Sequence, residues 1–123
     1  MANKENCIFC RIANGDVPST KLFENERVMA FADLNPAAPF HALVIPRRHI
    51  ATLNDLGEKD APLFGEMTLV AQKLARDAGL AESGYRLIAN CNADAGQVVF
   101  HIHLHVLGGR PLGGLVPDQE KNI

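Results

Sequence analysis

Apolar and polar positions divide the chain into short segments, most of them strand-like. Cys7 to Ala13 places Ile8, Phe9 and Ile12 at offsets that share a helical face, and Asn14-Gly15 closes a short helix there. Pro18 marks a turn. Lys21 to Glu24 and Val28 to Ala32 predict two strands around Asn25-Glu26, and Leu34 to Pro39 is a loop punctuated by Pro36 and Pro39. A strand resumes from His41 to Ile45 and ends at Pro46. Between Asp60 and Ala78, Leu63, Phe64, Met67, Val70, Ala71, Leu74 and Ala75 recur at helical spacing, which predicts one long amphipathic helix with Gly79 beyond its end. Tyr85 to Ala89 predicts another strand, Asn90 to Gln97 a polar, glycine-bearing loop, and Phe100 to Leu107 an alternating strand stopped by Gly108-Gly109. Strands outnumber helices without regular strand-helix alternation, so the expected fold class is α+β with an antiparallel sheet.

A chain of 123 residues with 47% hydrophobic and 21% charged positions can bury one core, so a single domain over residues 1–123 is expected. Flexible ends are expected over about residues 1–5 and 112–123, where periodicity is weak. Twelve basic against 14 acidic residues leave no excess for duplex nucleic acid. Arg47-Arg48-His49 is the one basic cluster, and its expected place is a solvated face. No secretory signal opens the sequence, and the longest apolar stretch, Ala37 to Ile45, is broken by Pro39 and His41. These features predict a cytoplasmic protein with neither a membrane nor a nucleic-acid partner. Cys7, Cys10 and Cys91 make an odd count, so disulfides are not expected to hold the fold.

Three of the five histidines fall in His101-Ile102-His103-Leu104-His105-Val106-Leu107. On a strand, the period of two puts His101, His103 and His105 on one face, roughly 6.6–6.8 Å apart in succession, and turns Ile102, Leu104 and Val106 to the core. Such a row suits two chemistries. Neutral imidazoles can ligate a catalytic metal, or one can attack phosphorus while its neighbours move protons. Asn90, Gly96 and Gln97, just before the row, supply amides and close backbone approach suited to phosphate oxygens. No carboxylate adjoins the row in sequence.

Residues 101–107 resemble the signature of the histidine triad (HIT) family of nucleotide hydrolases, in which histidine alternates with apolar residues. The resemblance extends through Cys7-Ile8-Phe9-Cys10-Arg11-Ile12, Ala30-Phe31-Ala32-Asp33-Leu34-Asn35-Pro36, His41-Ala42-Leu43-Val44-Ile45-Pro46 and Gly96-Gln97-Val98-Val99-Phe100. The ending Leu107-Gly108-Gly109-Arg110-Pro111 is similar to the Hint branch, the purine nucleoside phosphoramidases. The resemblance implies the HIT fold and a homodimer whose two small sheets join into one. It also implies that His103 attacks the α-phosphorus of a purine nucleoside phosphoramidate, giving a nucleotidyl-histidine that water cleaves to AMP or GMP. His105, His41 and His101 complete the implied catalytic set. Asp33 would hold the ribose hydroxyls, while Ile8, Phe9, Ile12 and Val17 on one side and Phe31, Leu34 and Leu43 on the other would enclose the purine. Asn90, Gly96, Gln97 and the Val98 N–H would lie near the phosphate.

No cofactor is implied for catalysis. In some relatives a cysteine pair joins two histidines in a structural zinc site, and Cys7, Cys10, His49 and His101 match those positions. Val98 stands where Hint-branch sequences often carry a hydroxyl-bearing or polar residue, and the tail lacks the tryptophan of animal relatives. The competing readings are a nucleotide-binding or interaction module with incidental hydrolysis, a dinucleoside polyphosphate hydrolase, and a zinc hydrolase.

Overall fold

A five-stranded antiparallel sheet organises residues 5–116, the residues described by the computed structural model. Its strands are β1 (Lys21–Glu24), β2 (Val28–Ala32), β3 (Phe40–Pro46), β4 (Tyr85–Ile88) and β5 (Leu104–Gly108), in the spatial order β1-β2-β3-β5-β4. Two α-helices, α1 (Ile8–Ala13) and α2 (Ala61–Asp77), accompany them among the described residues. The expected α+β class and antiparallel pairing are found. Residues 1–4 and 117–123, which hold most of the ends expected to be flexible, lie outside the described residues. The described part of the tail is tied down, since Arg86 Nη2 donates to the Gly113 carbonyl at 2.9 Å.

Both faces of the central strands are covered, which explains their near-continuous apolar runs. Val28, Ala30, Ala42, Val44, Leu104 and Val106 pack with Met67, Val70, Ala71 and Leu74 of α2. On the opposite face, Met29, Phe31, Leu43 and Ile45 pack with Phe9, Cys10 and Ile12 of α1. A six-residue helix has little stability of its own, so α1 depends on this packing and on its end contacts. One such contact comes from Arg47, whose Nη1 donates to the Ala13 carbonyl at 2.7 Å and whose Nε donates to the Asn25 carbonyl at 2.7 Å. Arg48 pairs with Asp60, and His49 is drawn into a cysteine cluster. Arg48 is exposed, as its charge predicts, while Arg47 and His49 are half-buried in tertiary ties and not on a solvated face.

The ladder of β5 begins at Leu104, four residues later than the alternation predicts. Its partner β3 ends at Pro46, which has no N–H to offer. The Pro46 carbonyl pairs with the His101 ring, and the Ile102 N–H donates instead to the Ile50 carbonyl at 2.7 Å. Residues 99–101 bend, yet the alternation of sides persists into them: Ile102 joins the α2 side, and the histidine row lies on the α1 side.

Candidate active site

His103 forms the floor of a cavity of about 450 Å³ between α1 and the sheet. Its ring meets Phe9 edge-to-face, with centroids 5.1 Å apart, and packs against His105 at 5.0 Å. The Nδ1 of His103 lies 2.8 Å from the His101 carbonyl. A carbonyl can only accept, so Nδ1 carries the proton and Nε2 keeps its lone pair. Burial lowers the His103 pKa, opposed by that hydrogen bond and by the Asp33 charge. The ring is therefore held neutral, in one tautomer, as a nucleophile requires.

A second chain of bonds fixes its neighbours. The Ala37 N–H donates to His41 Nδ1 at 3.0 Å, which leaves the ring proton on His41 Nε2. That atom is 2.9 Å from His105 Nδ1, so His105 accepts there and carries its own proton on Nε2. The register explains the meeting: Leu43 lies opposite His105 and His41 opposite Leu107, which puts the two imidazoles diagonally across adjacent strands. Burial and the neighbouring His103 and His41 push the His105 pKa down to about 4, with Asp33 opposing. Asp33 Oδ2 is 3.4 Å from His41 Nε2, and Asp33 Oδ1 accepts from the Asn35 N–H at 2.8 Å. The carboxylate missing beside the row in sequence is thus supplied through space from the end of β2.

Ten of the twelve residues expected to bind nucleotide line this cavity. Ile8, Phe9, Ile12 and Val17 form one wall, Phe31, Asp33, Leu34 and Leu43 the other, and Gly96 and Val98 lie at the loop end. Asn90 and Gln97 do not line it. Gln97 is buried and spends its amide on main chain: it accepts from the Asn92 N–H and donates to the Ala51 and Val99 carbonyls. Val98 is 85% exposed, and its N–H has no acceptor among the described residues. Pro18, Ser19, Ala32, Asn35 and Val99 also line the cavity. None carries a chemical signal of its own: Ala32, Asn35 and Val99 fall inside the matching segments, and Pro18 and Ser19 follow Val17 in the chain.

A HIT domain family model matches residues 14–112. The chain belongs to the HIT domain family. Among relatives of this HIT protein, a purine nucleoside phosphoramidase of Escherichia coli K12 is 46% identical over 112 residues, which cover 91% of this chain and 94% of the relative. A HIT family hydrolase from Legionella pneumophila is 50% identical with a TM-score of 0.87, over 88% of this chain and 96% of its own. A histidine triad protein from Clostridium difficile is 44% identical with a TM-score of 0.89, over 93% and 99%.

The remaining histidine of the HIT row faces elsewhere. The His101 ring is fully buried, and its Nε2–H donates to the Pro46 carbonyl at 2.7 Å. Its Nδ1 lone pair then points to Cys7 Sγ at 3.3 Å and Cys10 Sγ at 3.5 Å, while His49 Nδ1 is 3.3 Å from Cys10 Sγ. His101 does not line the cavity; it acts on it through the carbonyl that holds His103, and not with the ring expected in the catalytic set. Two thiols and two imidazole nitrogens gathered within 4.8 Å of one another make a donor set suited to tetrahedral zinc. The edges of a zinc tetrahedron with bonds of roughly 2.0–2.3 Å are about 3.5 Å, close to the separations seen here.

Proposed function

We propose that this HIT-family nucleotide hydrolase cleaves the P–N bond of purine nucleoside 5′-phosphoramidates through a nucleotide bound covalently to His103. One observation carries the reading: the His103 tautomer fixed by the His101 carbonyl presents a neutral Nε2 to the cavity floor. The purine occupies the apolar slot between Phe9 and Phe31, and Asp33 accepts from the ribose hydroxyls. The phosphate lies against His105 Nε2–H and the Val98 N–H. His103 Nε2 attacks phosphorus, the P–N bond breaks, and its electron pair leaves on the amine nitrogen. The proton that the amine needs comes from the His105–His41 pair. Burial holds His105 neutral in the free protein, a phosphate anion beside it raises its proton affinity, and the Asp33 carboxylate stabilises the resulting cation. Water then attacks phosphorus, gives its proton to His105, and breaks the bond to His103 Nε2, which releases the nucleoside monophosphate.

Zinc at Cys7, Cys10, His49 and His101 would act as a structural staple between α1 and the segments after β3 and before β5. It would supply no chemistry to the phosphorus, because these ligands do not line the phosphate end of the cavity. β4 forms a sheet edge with Tyr85 partly exposed, and edge pairing between two copies would join two five-stranded sheets in a homodimer. The cytoplasm, where thiols stay reduced, is the compartment this chemistry suits. No helix among the described residues is long and apolar enough to cross a membrane.

The test is hydrolysis of adenosine 5′-phosphoramidate by purified protein, before and after brief chelation, with AMP as the measured product. Chelator-resistant turnover supports the reading. Absence of turnover in folded protein that binds AMP would favour a nucleotide-binding module.

A further inference from the structure

The structure assigns Gln97 a positioning role: its side chain holds the loop after β4 so that the main-chain N–H groups of Val98 and Val99 face the phosphate beside His103. This inference rests on the phosphoramidase reading of the cavity and adds a residue that reaches the substrate only through the loop.

Gln97 is 6% exposed, and the three hydrogen-bonding directions it uses end on main chain. Its Oε1 accepts from the Asn92 N–H at 2.7 Å, while its Nε2 donates to the Ala51 carbonyl at 2.8 Å and the Val99 carbonyl at 3.1 Å. Its own N–H donates to the Asn92 carbonyl at 3.1 Å, so main chain and side chain grip the same residue. Asn92 has φ +69°, the only positive φ of a non-glycine among the described residues, and Gly96 has φ +90°. That reversal places residues 92–97 in a tight turn that costs conformational energy and needs an external hold.

The hold is made to a fixed body. Ala51 follows Ile50, whose carbonyl accepts the Ile102 N–H at 2.7 Å, and His49, which belongs to the cysteine cluster. Gln97 therefore ties the loop to the segment that also anchors the start of the histidine row. What the loop presents is main chain. Gly96, Val98 and Val99 line the cavity, and the N–H groups of Val98 and Val99 have no acceptor among the described residues. Val98 and Val99 cannot bond phosphate with side chains, so their contribution at this end depends on where those N–H groups stand. No other residue type of this shape meets all three partners, because glutamate lacks the two donors and asparagine is one methylene shorter.

The experiment measures AMP and adenosine affinities by calorimetry for wild type, Gln97→Ala and Gln97→Glu. Adenosine reads the apolar slot and the fold; AMP adds the phosphate. The expected result is adenosine affinity within about twofold of wild type and AMP affinity weakened at least about tenfold, the loss of one or two charge-assisted bonds. kcat/KM for adenosine 5′-phosphoramidate should fall at least as far. Equal loss for both ligands, unchanged AMP affinity, or failure of both variants to fold would overturn the inference. A wild type that binds AMP no better than adenosine would instead remove the phosphate-end reading itself.

Discussion

His103 donates its Nδ1–H to the main-chain carbonyl of His101 at 2.8 Å, while the His101 ring turns to Cys7 and Cys10. Two histidines of one row thus do different work. One is held neutral with a lone pair over the cavity, and the other holds it there through its carbonyl while its ring serves a buried ligand cluster. The alternation that makes the row conspicuous sets which side of the chain the rings occupy. The bend at residues 99–101 decides which cavity each ring meets.

Depressed histidine pKa values set the acid behaviour. Burial lowers the His103 pKa from its ordinary 6.5, and burial with the neighbouring His103 and His41 pushes that of His105 down to about 4. The acid limb of kcat/KM, which reports the free enzyme, should lie below the ordinary histidine value near 6.5. A pH–rate profile checks this. Stability follows the same sign: between about 6.5 and 4 the unfolded chain binds more protons at His105, so folded stability is lost as pH falls through that window.

Metal removal should separate stability from chemistry. Cys10→Ser removes one sulfur from the four-atom cluster that fastens α1. Wild-type protein should carry about one zinc ion per chain and the variant almost none, and Tm should fall by about 10 °C or more. Elemental analysis and thermal melts read these effects. Turnover per folded molecule should decline mainly through a higher KM, because Ile8, Phe9 and Ile12 of the same helix line the cavity.

Gly109 offers a test of the His41 tautomer. Its φ is +101°, and a Cβ there would lie 2.9 Å from the Cβ of Pro39, beside the loop whose Ala37 N–H caps His41 Nδ1. Gly109→Ala should cost about 1–3 kcal/mol of stability by denaturant melts. It should also lower kcat with little change in adenosine affinity.

Much of this was legible in the sequence, for identifiable reasons. Period two marked the triad, helical spacing marked α2, and the motif residues Asp33, Phe31 and Ile8 reached the cavity as expected. Gln97 was not legible, because an amide beside a glycine reads as a phosphate ligand whether it faces the substrate or the main chain. Arg47 was misread because charge implies solvent, whereas its guanidinium joins α1 to the β1–β2 turn. The break before β5 depends on Pro46, 55 residues from the His101 ring it receives. Local patterns do not carry such separations.

The most direct test of the central claim is intact-protein mass spectrometry after rapid acid-free quenching of a turnover mixture with adenosine 5′-phosphoramidate. The account predicts a transient species heavier by one adenylyl group, mapped to His103 and lost in His103→Ala, which still binds AMP. Steady turnover with no adduct at any quench time, or persistent turnover in His103→Ala, would contradict it.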